Sequence, residues 1–416
     1  MSKLITSMLV CASVALAQLP LSAPVEAAAA SEKPKRKVYL PSPNVGKKVG
    51  KAFEAYSAED IDGAIVILND ISAKKTYDVA YVQYFTGQMY AMKGKGDDSL
   101  KLLLKAVEPD ILNENDQAGA FRLIADLSIQ SSKFEQAIKY YKVWLAFTGK
   151  EDGEVYTRVG SAYIELKQLD KVIEPADKAI AAYGDKRNIN PYILKVTSYY
   201  QRKMNKDLIN VLSTMVQLFD DAKQWWVMLG QVYIMEENYA KALATLDLAY
   251  KQGFLEKESE MKTLANLYSQ SQMPYKGARI LEKYIASGLI KRDDKNIASL
   301  ANAWHAALDI DKAAKYYGEL GKLTNLSKHF VKQAALLKQD EQFKPAIVAY
   351  NKALELGAKN KGSIYMGLTE SHFYLGQYKQ AYAAVKKAAE DPKTKRSAKG
   401  WVTYIKDTAQ RKKVAI

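Results

Sequence analysis

The feature that most constrains this chain is a pattern of small and large apolar residues that returns roughly every 34 to 36 residues, from about residue 45 to residue 392. One copy of the pattern contains Trp226, Gly230 and Tyr233, followed by Ala242 and Leu246. Apolar residues at helical spacing on both sides of a short break predict a pair of antiparallel α-helices. Hairpins that repeat in this way bury their apolar faces against their neighbours, so the pattern predicts an all-α solenoid.

The small residue that begins each second helix marks the repeat. It predicts ten hairpins, with these residues 33 to 38 positions apart: Ala64, Ser99, Ala137, Val172, Leu208, Ala242, Gly277, Ala313, Ala346 and Ala381. The W-x₂-L-G-x₂-Y spacing from Trp226 resembles the tetratricopeptide (TPR) repeat. This resemblance implies a right-handed superhelix in which the first helices line the inner wall. Glycines after the second helices, such as Gly149 and Gly253, indicate helix ends.

The sequence predicts that the chain is divided into four segments. Residues 1–27 resemble an exported signal peptide, because Lys3 precedes a largely apolar stretch that Pro20 ends before small residues; an uncleaved anchor is the alternative. Residues 28–46 form a basic, proline-containing linker in which prolines oppose helix formation. The solenoid is predicted over residues 47–392, and an amphipathic C-terminal capping helix and tail over residues 393–416.

Cysteine use and charge bear on the location of the protein. Cys11 is the one cysteine of the sequence, and it lies within the signal-like stretch. A mature chain without cysteine forms no disulfide and suits an oxidising compartment such as the periplasm. The net charge of +15 favours acidic partners, although a solvated lysine-rich surface explains it equally well. We therefore predict an exported, periplasmic protein that does not bind nucleic acid.

The sequence offers little support for catalysis. Its three histidines, His305, His329 and His372, fall in separate repeats, and no two have the spacing of metal ligands. The motifs of nucleophilic hydrolases, zinc peptidases and nucleotide-binding loops are also missing from the sequence. We therefore predict a non-enzymatic protein that needs no cofactor or metal.

The ninth position of each first helix should face the inner wall of the superhelix. From the second hairpin onward this position holds mainly polar residues: Gln88, Asp126, Ser161, Thr197, Gln231, Asn266, Asn302, Ala335 and Glu370. Side-chain amides both donate and accept hydrogen bonds, so they can bind the backbone of an extended peptide. We include Tyr200, expected to face the same groove, among the candidate peptide-binding residues with Gln231 and Asn302. A solvated polar wall is the alternative.

A second candidate site is basic. Lys262 and Asn266 lie one turn apart on a first helix, and Lys328 and Lys332 lie one turn apart two hairpins later. This arrangement resembles the carboxylate clamp of chaperone-binding TPR domains, which holds the C-terminal carboxylate of a peptide. The chain departs from the clamp pattern at Ser299, where asparagine is expected, and at Lys332, where arginine is usual and binds carboxylates with two parallel bonds. Coincidence in a lysine-rich chain is the alternative.

Four segments, partly in the connections between hairpins, carry a more specific resemblance. They are QLDKVIEPAD (168–177), GFLEKES (253–259), SGLIKRDDK (287–295) and YIKDT (404–408). With them the chain resembles periplasmic TPR proteins that accompany TonB–ExbB–ExbD energy-transduction systems of gamma-proteobacteria. The resemblance implies an accessory role in TonB-dependent iron transport, through contacts with periplasmic segments of TonB- or ExbD-type proteins. The alternative function is a cell-envelope assembly factor, in polysaccharide export or outer-membrane biogenesis.

Overall fold

The computed structural model describes residues 36–221 and 223–416. They divide into two compact units, the first ending at Ser131 and the second running from Ser132 to Ile416. The predicted signal peptide, Cys11 and the first part of the predicted linker lie outside the described residues. All regular secondary structure in the described ranges is helical, as predicted: 21 α-helices and one 3-10 turn.

The first unit contains five helices: α1 (Pro43–Ser57), α2 (Ile61–Asn69), α3 (Thr76–Met92), α4 (Gly96–Val107) and α5 (Glu114–Gln130). The second begins with α6 (Phe134–Thr148), α7 (Gly153–Glu165), a 3-10 turn (Leu169–Val172), α8 (Ile173–Tyr183), α9 (Asn190–Gln201), α10 (Asn205–Leu218), α11 (Lys223–Met235) and α12 (Tyr239–Lys251). It continues with α13 (Glu258–Gln270), α14 (Pro274–Ala286), α15 (Asp294–Ala306), α16 (Ile310–Thr324), α17 (Ser327–Gln339), α18 (Phe343–Glu355), α19 (Lys361–Tyr374), α20 (Tyr378–Ala388) and α21 (Lys395–Arg411).

Within each unit, each odd-numbered helix packs against the even-numbered helix that follows it, and the helix pairs are numbered here as hairpins in chain order. Examples are α3 with α4 in the first unit, and α13 with α14 and α15 with α16 in the second. The helices of the third hairpin, α5 and α6, belong to different units. All ten residues used to mark the repeat are buried, including the bulky Val172 and Leu208. The helical-hairpin solenoid is therefore confirmed, whereas the handedness of its superhelix stays a prediction.

Glycine brings helices together closely at several positions of the second unit, of which Gly277 and Gly230 are two. A Cβ atom on Gly277 in α14 would lie 2.5 Å from the backbone oxygen of Ala265 in α13. A Cβ atom on Gly230 in α11 would lie 2.5 Å from the side chain of Leu246 in α12. Real Cβ atoms are not found this close to other heavy atoms, so the seventh hairpin in particular depends on having no side chain at position 277.

The turn inside every hairpin contains one residue with positive φ. Glycine fills only two of these ten positions, Gly94 and Gly376. The others are Glu59, Ser132, Lys167, Lys203, Glu237, Gln272, Leu308 and Glu341. The glycines predicted to end second helices also have positive φ, at positions 149, 184, 253, 288 and 357. The left-handed residue inside each hairpin is a regular feature that composition did not reveal, because side chains that rarely adopt this conformation occupy it.

The two ends of the described chain are packed. Helix α1 begins at Pro43, before the predicted boundary at residue 47, because proline is favourable in the first turn of a helix. The described part of the predicted linker is not free: the Arg36 guanidinium donates to the Leu112 carbonyl at 2.7 Å, and the Tyr39 amide donates to Asn113 Oδ1 at 2.9 Å. At the other end, α21 buries Ile405 against α20. Nowhere in the described ranges does a helix combine the length and apolar character needed to cross a bilayer.

Candidate peptide-binding surface

Three successive first helices of the second unit, α9, α11 and α13, line an open depression of about 570 Å³. We call it the α9–α13 depression. Two of its large apolar side chains are strongly exposed, Tyr200 at 56% and Met235 at 60%. Its other apolar lining residues are Val227, Met228, Val232 and Phe254. An exposed cluster of large apolar side chains is characteristic of a surface that binds another chain.

The charged groups at the edge of the α9–α13 depression are already paired. The Lys223 ammonium forms an ion pair with the Glu256 carboxylate. The Glu260 carboxylate accepts from the backbone amides of Glu256, at 2.8 Å, and Lys257, at 3.0 Å, at the start of α13. Lys223, Glu256 and Glu260 are thus bonded within the protein, and the lining groups left for a ligand are apolar side chains, amides and the Lys257 ammonium.

The predicted row of polar residues on the first helices is mostly occupied by bonds within the protein. Asn302 accepts a hydrogen bond from the Tyr317 hydroxyl at 2.6 Å, and Glu370 pairs with Lys338. Among the described residues, neither Gln231 nor Asn266 has a hydrogen-bond partner for its side-chain amide, and both are exposed. The amides able to bind a peptide backbone are therefore concentrated on α11 and α13.

The structure brings Tyr200 and Gln231 together, since both line the α9–α13 depression. Gln231 also lines a smaller neighbouring pocket with Thr263 of α13, one turn before Asn266. The ninth positions of the first helices do not reveal the apolar side chains of the depression. Val227, at the fifth position of α11, is the sequence signal for them, since that position is also expected to face the inner wall.

Lys262 takes part in a hydrogen-bond network between α13 and α15. Its ammonium donates to Asn296 Oδ1 at 2.8 Å and lies 3.4 Å from the Glu258 carboxylate. Asn296 is only 5% exposed, and its amide donates to the Lys291 carbonyl at 2.8 Å. The positive charge of Lys262 is therefore already shared with protein oxygens.

Lys328 and Lys332 lie on α17, where they affect the neighbouring imidazoles. Burial, together with the positive charge of Lys332, lowers the pKa of His305, and burial with the charge of Lys328 lowers that of His329. The Lys332 ammonium lies 6.0 Å from the centre of the Tyr317 ring. Since Tyr317 also bonds Asn302, one tyrosine brings Lys332 and Asn302 into the same neighbourhood.

The four residues of the suggested carboxylate clamp are not joined by any contact among the described residues. Lys262 and Asn266 lie on α13, whereas Lys328 and Lys332 lie on α17. Ser299, which stands in place of the expected asparagine, donates its hydroxyl to the Lys295 carbonyl of its own helix at 3.0 Å. The clamp stays a prediction, and the α9–α13 depression is the better-supported candidate site.

The histidines lie on three different helices, α15, α17 and α19, and the His372 ring lies 2.6 Å from the Gln377 side-chain oxygen. Within residues 36–221 and 223–416, no three histidine, cysteine or acidic side chains are arranged to hold a metal ion. That the protein is not an enzyme and needs no cofactor stays a prediction from the sequence.

No known protein-family model matches the chain. It is 22% identical over 330 residues to a TPR repeat-containing protein of Methanocaldococcus jannaschii, which covers 79% of this chain and 47% of that protein. The chain thus spans about half the length of this curated relative.

Two solved structures are also similar. Naa15/Naa10 bound to HypK-THB has a TM-score of 0.46 at 12% identity, covering 86% of this chain and 66% of that one. A tetratricopeptide repeat protein from Parabacteroides merdae has a TM-score of 0.34 at 14% identity, covering 61% and 98%.

The fold and the exposed first-helix surface define an all-α repeat protein built of helical hairpins. The repeat signature and the sequence relative support hairpins of the TPR type.

Proposed function

We propose that this protein is a scaffold that binds an extended segment of a partner protein in the α9–α13 depression. The observation that carries the proposal is the juxtaposition of exposed Tyr200 and Met235 with the unpaired amide of Gln231. Apolar side chains of the partner would be buried in the depression, and the amide would bind its main chain. Binding energy at such surfaces is concentrated in a few large side chains.

The experiment replaces two exposed side chains of the depression, Tyr200→Ala with Met235→Ala. The matched control is Tyr239→Ala with Leu248→Ala, which removes two exposed apolar side chains from α12, outside the depression. Immobilised variants are incubated with cell-envelope extract, and bound proteins are quantified by mass spectrometry. We expect the first pair to lower recovery of the specific partners about tenfold or more and the control to leave it unchanged. Equal recovery by both pairs would refute the proposed site.

We also propose that the protein is periplasmic and serves as an accessory component of a TonB-dependent iron-uptake system. The signal-like residues 1–27 and the four connecting segments support this proposal. A deletion strain should grow normally on free iron and poorly when iron is supplied as a siderophore or haem complex. Normal growth on such a complex under iron limitation would reject the iron-uptake role. A defect in surface polysaccharide or outer-membrane proteins instead would indicate an envelope assembly factor.

A further inference from the structure

A second pocket lies among α12, α13 and α14, and no function described above uses it. Its volume is about 460 Å³. Lys276, Arg279 and Lys283 of α14 line it together with Tyr250 and Tyr268. We call it the α12–α14 pocket. Residues spaced i, i+3 and i+7 share one face of a helix, so the three positive charges lie in a row along one side of α14.

Aromatic groups hold two of these cations in place. The Lys276 ammonium lies 5.5 Å from the centre of the Tyr268 ring. The Lys283 ammonium lies 3.3 Å from the Tyr250 hydroxyl and 4.9 Å from the centre of the Tyr284 ring. Cation–aromatic contacts position an ammonium group without neutralising its charge. The cations therefore remain available to an anionic ligand.

Two carboxylates belong to or adjoin the pocket, Glu282 in its lining and Asp247 beside it, and both are bonded to other groups. Glu282 accepts from the Tyr316 hydroxyl at 2.6 Å and lies 3.3 Å from the Lys312 ammonium. Asp247 accepts from the Tyr268 hydroxyl and pairs with Lys251 at 2.8 Å. In the described ranges, no carboxylate lies within ion-pair distance of the three α14 cations.

An equivalent pocket three hairpins earlier serves as an internal reference. This α6–α8 pocket, of about 790 Å³, has Lys171 and Lys178 at the positions that Lys276 and Lys283 occupy in the repeat. Its own oxygens satisfy its cations: the Lys178–Glu174 distance is 2.8 Å, and Lys171 donates to the Gln168 side chain at 3.0 Å. Its lining also includes Lys142, Glu151 and Asp170, so three cations face three carboxylates. The α12–α14 pocket, lined by three cations and one carboxylate, therefore carries an excess of positive charge that the α6–α8 pocket does not.

We propose that the α12–α14 pocket binds an extended, acidic segment of a protein, as a second site on the second helices. At 1.5 Å of rise per residue, Lys276 and Lys283 lie about 10 Å apart along α14. On an extended chain, alternate side chains point to the same side about 7 Å apart, so three such carboxylates span about 13 Å and can follow this row. A single phosphate group cannot reach both ends of this row, whereas a run of acidic side chains can contact all three cations.

The probe is a fluorescein-labelled peptide of alternating glutamate and serine, and its binding to the full chain is followed by fluorescence anisotropy. The test variant is Lys276→Gln with Arg279→Gln and Lys283→Gln. The control is Lys142→Gln with Lys171→Gln and Lys178→Gln in the α6–α8 pocket, which removes the same charge. Circular dichroism verifies that both variants are folded.

We expect the test variant to bind the peptide about tenfold more weakly or worse, because three charge-assisted contacts are lost. The control should bind like the unmodified protein, and the matched peptide of glutamine and serine should not bind. Equal weakening by both variants would mean attraction by net charge alone and would overturn the proposal, as would absence of binding. Displacement by inorganic phosphate at concentrations comparable to the peptide would also overturn it. Because this site lies outside the α9–α13 depression, Tyr200→Ala with Met235→Ala should leave peptide binding intact.

Discussion

The seventh and eighth hairpins are built on the same repeat but use equivalent polar positions differently. In the eighth hairpin, Asn302 accepts from Tyr317 at 2.6 Å, and Lys312 lies 3.7 Å from the centre of the Trp304 ring. The equivalent residues of the seventh hairpin are Asn266 and Lys276. Asn266 has no partner among the described residues, and Lys276 contacts an aromatic ring but no carboxylate.

The difference continues along the second helices. Glu319 of α16 pairs with Arg292 at 2.7 Å, whereas the equivalent residue of α14 is Lys283, which has no acidic partner in the described chain. A buried or paired polar group stabilises the fold, and an exposed unpaired one remains free to bind. These polar groups of the eighth hairpin are therefore bonded within the protein, whereas the equivalent groups of the seventh hairpin are exposed or lack an acidic partner. The seventh hairpin, with α9 and α11, is therefore where partners should bind.

The largest expected change in the free energy of unfolding concerns the close helix packing at Gly277 of the seventh hairpin. Gly277→Val should lower the free energy of unfolding by about 3 kcal/mol, because its Cβ meets the Ala265 backbone oxygen at 2.5 Å. At the equivalent position of the eighth hairpin, Ala313→Gly should cost only about 1 kcal/mol, since it changes helix propensity without overlap. Urea denaturation measures both. Equal losses would show that the close approach of the backbones is not special to the seventh hairpin.

The next effect concerns the buried hydroxyl of Tyr316. Tyr316→Phe should cost about 1.5 kcal/mol, because it removes a hydrogen bond to the charged Glu282 carboxylate. Burial, followed by the hydrogen bond to Glu282, raises the pKa of Tyr316 above its ordinary value. Tyrosines of the unfolded chain ionise near pH 10, so this contribution is complete below pH 10 and is lost as the pH rises above it.

The alkaline part of this prediction is measured by thermal unfolding between neutral pH and pH 11. The melting temperature of the unmodified protein should fall more steeply above pH 10 than that of Tyr316→Phe. Parallel pH profiles would show that ionisation of Tyr316 does not contribute to the loss.

A smaller change in the free energy of unfolding is expected at Asn302 and Asn266, the asparagines at the ninth position of the first helices of the two hairpins. Asn302→Ala should cost about 1 kcal/mol, because it leaves the largely buried Tyr317 hydroxyl without its acceptor. Asn266→Ala should change the free energy of unfolding by less than about 0.5 kcal/mol, because its side chain is exposed. If both substitutions lower the free energy of unfolding equally, the Asn266 side chain stabilises the fold, which contradicts the proposed difference between the two hairpins.

The smallest effect is stabilising. Leu308 has φ of 60° and is 78% exposed in the turn of the eighth hairpin. Relief of the left-handed strain, about 1–2 kcal/mol, exceeds the entropic cost of glycine, about 0.5–1 kcal/mol. Leu308→Gly should therefore raise the free energy of unfolding by about 0.5 kcal/mol. Gly376→Ala, at the same turn position of the tenth hairpin, should lower the free energy of unfolding. Urea denaturation of both variants should therefore give changes of opposite sign.

The sequence predicted the hairpins well because their close contacts demand small residues at fixed intervals. The marker residues predicted every second helix, even where Val172 or Leu208 replaces the small residue. The left-handed turns were not predictable, since Leu308 carries none of the usual glycine signal. The start of α1 was misplaced because Pro43 was interpreted as opposing the helix that it begins.

The candidate site was only partly predictable, since it depends on which polar groups are already bonded. Tyr200 and Gln231, both chosen from the sequence, line one depression, and their role in binding a peptide stays a prediction. The sequence did not show that the Lys262 ammonium is already bonded, because its partner, Asn296, lies on the first helix of the next hairpin. A hydrogen bond between hairpins leaves no local sequence pattern. The three cations of α14 have an i, i+3, i+7 spacing that is visible in the sequence, but the sequence does not show that nearby carboxylates are bonded to other groups.

The central claim is that partners bind beside the seventh hairpin and not beside the eighth. The most direct test incorporates the photo-crosslinking amino acid benzoylphenylalanine at position 266 in one variant and at position 302 in another, and irradiates living cells. Both asparagines are exposed and occupy the same position of the repeat. We expect a partner adduct at position 266 that weakens when Tyr200→Ala and Met235→Ala are added, and little or no adduct at position 302. An equal or stronger adduct at position 302 would contradict it.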